Sequence, residues 1–326
     1  MIESLRTADA VERTDAPVPH RQREHAHHSR RARAPGRRGL TPYFFVGPAF
    51  AFLLAFGLLP IVVAAVVSLT DLDLRGLGDP GAIEFVGLDN YLQLATDEEF
   101  WSALANTGIF IIIGVPLIIT SSLAVALALN QSSSRLFRIL TGFYFLPAIT
   151  AIVAISLIWG YLLNGQFGLI NYLLTSIGLD PVPWLSDPVM AKFSVAFVAI
   201  WRASGLNIVI FLAALQSIPK EYHEAAALDG AGGWRRIRSI TVPLLRFAIF
   251  FVTVTTLIAW MQFFDEPYVL TRGGPTGATT SISLYIYEQG FRFNEFGFAS
   301  AASVILFVLI FVVTAVQLRG RRLTHD

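Results

Sequence analysis

The sequence predicts an all-α membrane protein with six transmembrane helices and both termini on the cytoplasmic side. Three observations predict it. The chain of 326 residues is 54% hydrophobic and only 14% charged, with a mean hydropathy of +0.60, whereas soluble domains carry about 25% charged residues. Six apolar segments are long enough to cross a hydrocarbon core about 30 Å thick, which takes about 20 residues. Lys and Arg gather in alternate connections between those segments, the bias that sets membrane orientation.

Residues 1 to 40 read as a disordered arm, because too few apolar groups are present to offset the entropy of ordering. Arg21, Arg23, Arg30, Arg31, Arg33, Arg37 and Arg38 crowd its second half. His20, His25, His27 and His28 raise metal binding, but a solvated tail beside anionic lipid is the better reading. The arm is no cleavable signal, since the apolar run after it far exceeds a signal core.

The first span covers residues 43–69, with Pro48 and Pro60 as expected kinks. An acidic connection from Asp71 to Glu99 follows it. The second span, 104–129, and the third, 139–163, are joined by a short turn carrying Arg135 and Arg138. Within the next loop, residues 168–178 are amphipathic and too short to cross, so they are expected at the membrane interface. The fourth span is 191–215 and the fifth 240–264; the sixth, 298–318, follows a polar loop of residues 265–297. Basic residues crowd the arm, the 131–138 turn, the connection after the fourth span (Lys220, Arg235, Arg236, Arg238) and the tail with Arg319, Arg321 and Arg322. The intervening loops are acidic or nearly neutral. The connection after the fourth span is therefore cytoplasmic.

That connection, residues 219–243, is a polar island between two apolar segments. Pro219 suits the first turn of a helix, and Glu221 and Glu224 favour the positive end of its dipole. Ala225, Ala226 and Ala227 combine high helix propensity with a surface low enough for close approach by another protein. Gly230, with Gly232 and Gly233 after it, permits the positive φ that ends a helix. Arg235, Arg236 and Arg238 then hold a second short helix near the headgroups. The residues themselves allow either a docking knob or a plain amphipathic connector.

Glu224-Ala225-Ala226, Gly230, Ile240 and Val242-Pro243 resemble the EAA loop of ATP-binding cassette (ABC) importer permeases, with Val242 departing from the family's leucine. Residues 85–91, Asn106-Thr107, Leu146-Pro147, 270–275 and 297–302 are similar to the permeases of maltose-type carbohydrate importers, so the resemblance covers nearly all of the chain from residue 41. It implies a type I ABC importer permease fold in a bacterial cytoplasmic (inner) membrane, with a basic arm at 1–40, a permease domain at 41–326 and a coupling loop at 216–239. It implies a cytoplasmic ATPase dimer whose cleft receives the helix bearing Glu224, Ala225, Ala226 and Gly230. A second homologous permease and an extracytoplasmic solute-binding protein are the other implied partners, beside membrane lipid. No nucleic acid, cofactor or metal is expected.

The chain has no Cys, which excludes disulfides and thiol chemistry. It has no P-loop of the form G-x-x-x-x-G-K-[ST], so ATP hydrolysis by that route is excluded. Asp97, Glu98 and Glu99 lie in a solvated loop and make no catalytic constellation. A transport subunit, and not an enzyme, is expected.

Polar groups inside spans mark candidate pathways. Arg202, in the middle of the fourth span beside Trp201 and near Asn207, is the sharpest. A central Arg costs about 2.5–3.5 kcal/mol, so it needs a wet cavity, an acceptor or a partner subunit. Lys192 and Arg246 sit near span ends and snorkel. Toward the outer half of the fifth span, Trp260, Gln262, Phe263 and Asp265 offer aromatic faces and hydrogen-bonding groups of the kind sugars need. Trp201 and Trp260 serve equally as packing or interfacial-belt residues. Asp265 and Glu266 read as gate or loop residues at a membrane boundary. The resemblance places the solute site on the helices flanking the EAA loop, and in some family pairs mostly in one of the two permeases. The expected activity is alternating-access import of a sugar or related carbohydrate. A polyol or glycerol phosphate permease is the near alternative. An ion-coupled secondary transporter is the distant one; it expects carboxylates at midspan, and the spans contain none.

Overall fold

A computed structural model of the chain describes residues 41–131 and 135–322. The basic arm 1–40, the turn centre 132–134 and residues 323–326 lie outside the described residues, and with them the expectations placed on the arm. The chain has two compact units, Met1–Leu53 and Leu54–Asp326. The described part of the first is a single helix, α1 (Thr41–Leu53). The regular elements of the second are all helical among the described residues, apart from an isolated bridge between Thr70 and Phe85. Its helices before the island are α2 (Leu59–Val67), α3 (Leu74–Gly78), α4 (Asp89–Thr96), α5 (Glu98–Leu129), α6 (Arg135–Ile149), α7 (Ile152–Leu162), α8 (Leu169–Ser176) and α9 (Pro188–Gln216). The island holds α10 (Lys220–Leu228), α11 (Gly233–Arg236) and α12 (Val242–Leu244). After it come α13 (Arg246–Met261), α14 (Ile282–Tyr287) and α15 (Phe296–Arg322).

Four helical stretches are long and apolar enough to cross a membrane: Phe44–Val67, Glu98–Leu129, Pro188–Gln216 and Phe296–Gly320. Two more qualify only as bent pairs. Ile139–Ile149 turns through 97° into Ile152–Leu162, and Gly233–Leu244 turns through 67° into Arg246–Met261. The sequence reads each as a single span, 139–163 and 240–264, and the structure adds a bend to both. In the first pair Pro147 has no N–H to donate. Three residues later the Thr150 hydroxyl takes the Leu146 carbonyl at 2.8 Å, an acceptor that a continuing helix uses for its own backbone. In the second pair the bend falls at Leu245, between α12 and α13, two residues after Pro243, which has no N–H to donate. A π turn, Leu54–Leu58, precedes Pro60 in the first turn of α2. The wider turn gives the proline ring room that a tight helix denies it.

The packing centres on α5 against α9, with α13 laid on both. Phe110, Val115 and Ile118 of α5 meet Val195, Ala196 and Ala199 of α9 together with Trp260 and Phe263. Two glycines make these approaches possible. A Cβ at Gly114 would lie 2.0 Å from the Trp260 ring, and one at Gly205 would lie 2.5 Å from the Tyr144 carbonyl oxygen. The first lets the tryptophan lie on α5; the second seats α6 on α9.

The connecting segments are pinned by side-chain amides and hydroxyls. Asn90 donates to the carbonyls of Ser68 and Thr70, both at 2.9 Å. Asn106 donates to those of Gly277 and Thr280, both at 3.0 Å. The Thr107 hydroxyl accepts the Ile282 N–H at 2.9 Å. Gly297 donates its N–H to Leu72 at 2.9 Å, and a Cβ there would lie 2.0 Å from the Thr70 carbonyl oxygen. The segments 85–91, 106–107 and 297–302 are thus the anchors of the loops.

Two outcomes are expected. Gly114→Ala overpacks the Trp260 contact and lowers stability by about 1–3 kcal/mol, seen as a lower thermal midpoint in detergent; an unchanged midpoint would refute the contact. Asn106→Ala removes two bonds to the 272–281 segment and speeds limited proteolysis there, while the fold as a whole survives.

Candidate coupling helix and solute pathway

Pro219 is the N-cap of α10, one place earlier than the first-turn position expected, and Glu221 lies in the first turn. The other end closes by two backbone bonds, Gly230 N–H to the Ala227 carbonyl at 3.1 Å and Ala231 N–H to the Ala226 carbonyl at 2.9 Å. This is the Schellman arrangement, which needs a left-handed residue at its turn; Gly230 supplies it with φ of 74°. No residue of α10 is buried. Tyr222 and Leu228 are 53% and 90% exposed, and Trp234 beyond the turn is 75% exposed. Glu224 and Ala225 are exposed and Ala226 half-buried. The helix is therefore held by its caps and not by a core, and it presents apolar side chains with nothing over them.

Arg202 occupies the middle of α9. Its Nε donates to Glu266 Oε1 at 2.8 Å, with the arginine side chain 29% exposed and the glutamate 1%. Of the three ways to satisfy a midspan arginine, this chain uses an acceptor of its own. The sequence reading assigned Glu266 to a boundary and found no carboxylate at midspan. The structure adds a contact that neither point foresaw: the short segment between Met261 and the π turn Pro267–Thr271 carries Glu266, from outside the fifth span, against Arg202 in the middle of α9. The signal available was the midspan arginine itself, for which a carboxylate is one of the acceptors that serve.

The other expected pathway residues do not gather in one cavity. Trp260 and Phe263 are 4% and 6% exposed. Their rings stack at 5.0 Å, and Phe110 stands edge-on to Phe263 at 5.1 Å. In this conformation both rings are packed, and neither offers an open face. Asn207 is buried, its Nδ2 donating to the Ala203 carbonyl at 3.3 Å. Gln262 and Asp265 are exposed. Trp201 is exposed and lines a groove of about 440 Å³ with Tyr144, Pro147, Thr150 and Ser204, beside the α6–α7 break. Trp159 stands edge-on to it at 5.6 Å. Tyr144, Thr150 and Ser204 were not singled out in the sequence, because the bend that exposes them was not.

Residues 98–322 match the family described as binding-protein-dependent transport system inner membrane component. The chain belongs to that family. It is 36% identical over 285 residues to the lactose transport system permease protein LacF of Rhizobium radiobacter, covering 86% of this chain and 93% of that one. It is 33% identical over 290 residues to the trehalose/maltose transport system permease protein MalF of Thermococcus litoralis, covering 89% and 96%. Among solved structures it resembles a chain of a bacterial alginate ABC transporter in complex with an alginate pentasaccharide-bound periplasmic protein, with a TM-score of 0.74 and 26% identity over 87% of this chain and 95% of that one. Both the island and the Arg202–Glu266 pair of this transport component fall inside the family match.

Gly230→Val forces a β-branched residue into the left-handed region, at a cost of about 1–2 kcal/mol. Amide exchange at Ala227–Ala231 is expected to quicken in the variant. Gly232, whose φ is −64°, gives the control: its replacement by Ala leaves exchange unchanged.

Proposed function

We propose that this chain is the permease subunit of an ATP-driven, binding-protein-dependent importer of a sugar or related small carbohydrate. The observation that carries the mechanism is α10, a capped helix with no buried residue set between two membrane helices. The solute class is supported by the relatives named for lactose and for trehalose and maltose. Family membership also favours this reading over an ion-coupled transporter acting alone.

In this reading the four long helices and two bent pairs make six spans of a bacterial inner membrane, with both ends cytoplasmic as the basic residues favour. The arm is residues 1–40, and the permease domain is 41–326 with its coupling loop at 216–239. A cytoplasmic ATPase dimer receives Glu224, Ala225, Ala226 and Gly230 in its cleft. Closure of that dimer on ATP displaces α10; α9 and, through the 67° bend, α13 carry the displacement into the membrane. A second homologous permease completes the pathway, and an extracytoplasmic solute-binding protein delivers the solute. Trp201, Arg202, Asn207, Gln262 and Asp265 meet the solute as the cavity opens. Trp260 and Phe263 join them only if α13 parts from α5.

The complete importer in proteoliposomes tests this. Glu224→Arg and Gly230→Val are expected to cut ATP-driven uptake of radiolabelled lactose or maltose by about tenfold or more, with the complex still assembled and ATPase activity retained. Wild-type uptake in both variants would remove α10 from the mechanism. A wild-type importer that moves neither sugar nor any other neutral mono- or disaccharide would remove the solute class.

A further inference from the structure

Two ion pairs occur among the described residues. Arg292 with Glu288 is a surface i,i+4 pair, whereas Arg202 with Glu266 joins the middle of α9 to the segment after α13. The second contact is single-pointed. Nε donates to Oε1, and no described residue accepts from either Nη atom. The guanidinium is thus held by one edge, against a carboxylate that is 1% exposed, while 29% of the arginine side chain stays open.

An unpaired guanidinium at this depth would attract anions strongly, since Coulomb energies grow as the dielectric falls. Glu266 cancels that charge. Its bond to Nε also tethers the guanidinium at one point and leaves both Nη groups without an acceptor among the described residues. What remains is a tethered set of N–H donors on a pair that carries no net charge. Hydroxyl and ring oxygens of a neutral sugar are suited to such a set. A carboxylate or phosphate gains nothing from it over water and meets Glu266 close behind.

We propose that Glu266 is a positioning and specificity-determining residue: it neutralises and orients Arg202 so that the pathway favours uncharged, hydroxyl-rich solutes over acidic ones. The inference rests on the sugar-import function proposed above.

The experiment uses the assembled permease–ATPase complex, with glucuronate as the acidic probe and lactose and maltose as the neutral ones. Calorimetry is expected to show at least about a tenfold gain in glucuronate affinity in Glu266→Gln over wild type. Arg202→Gln/Glu266→Gln loses that gain. With the binding protein added, in proteoliposomes, Glu266→Gln raises the KM for lactose or maltose about tenfold with ATPase turnover kept, and Glu266→Asp recovers most of the loss. An assembled Glu266→Gln complex with no gain for glucuronate overturns the proposal. If that single variant does not assemble, the double variant, which leaves no unpaired charge, decides: a wild-type KM for the neutral sugar makes the pair purely structural. A wild-type importer that moves neither lactose nor maltose, beside a Glu266→Gln complex that still gains glucuronate, removes the sugar reading and leaves the charge-neutralising role of Glu266 standing.

Discussion

Inside a hydrocarbon slab there is no water to take up a stray N–H, a stray carbonyl or a charge, and every other feature of this chain answers to that constraint. Long ladders answer it in α9 and α15 and, but for the N–H that Pro116 lacks, in α5. Where the ladder fails, a side chain takes over, as Thr150 does for the Leu146 carbonyl. For charge the answer is Glu266, brought from another segment to accept from Arg202. The loops follow the same logic with amides, Asn90 and Asn106 each holding two carbonyls.

Much of the architecture was legible because it is local. Apolar length alone located the four long helical stretches, and the cap chemistry of Pro219 and Gly230 located the ends of α10 to within a residue. The two bends were not legible. A hydropathy profile is blind to direction, so residues 139–163 look the same whether straight or folded through 97°; only the Pro147 and Thr150 pairing hints at the turn. The candidate pathway suffered from the same cause. Trp260 reads as a sugar platform until Gly114, far away in sequence, is seen to admit its ring. Arg202 announced a need for an acceptor, but which carboxylate would meet it depended on the route of the chain after Met261.

The two candidate functional regions are stabilised in opposite ways. The α5–α9 contact is a close-packed core in which Phe110, Ile118 and Val195 are almost wholly buried, and a methyl group too many is felt. The α10 helix has no core and depends on its caps and on whatever covers Tyr222 and Leu228. A stiff element that borrows its burial from a partner can move with that partner as a unit. A packed helix such as α9 can then carry the motion without absorbing it.

The break between α6 and α7 has a consequence for the surrounding lipid. At 1.5 Å per residue, the 11 residues of α7 measure about 16 Å and the 15 of α6 about 22 Å, so neither half covers a hydrocarbon thickness of about 30 Å. Thr150 and Ala151, between the halves, are exposed. Acyl chains cannot solvate irregular backbone, so this flank meets water or another protein. The flank at the α6–α7 bend is therefore wet or covered by construction.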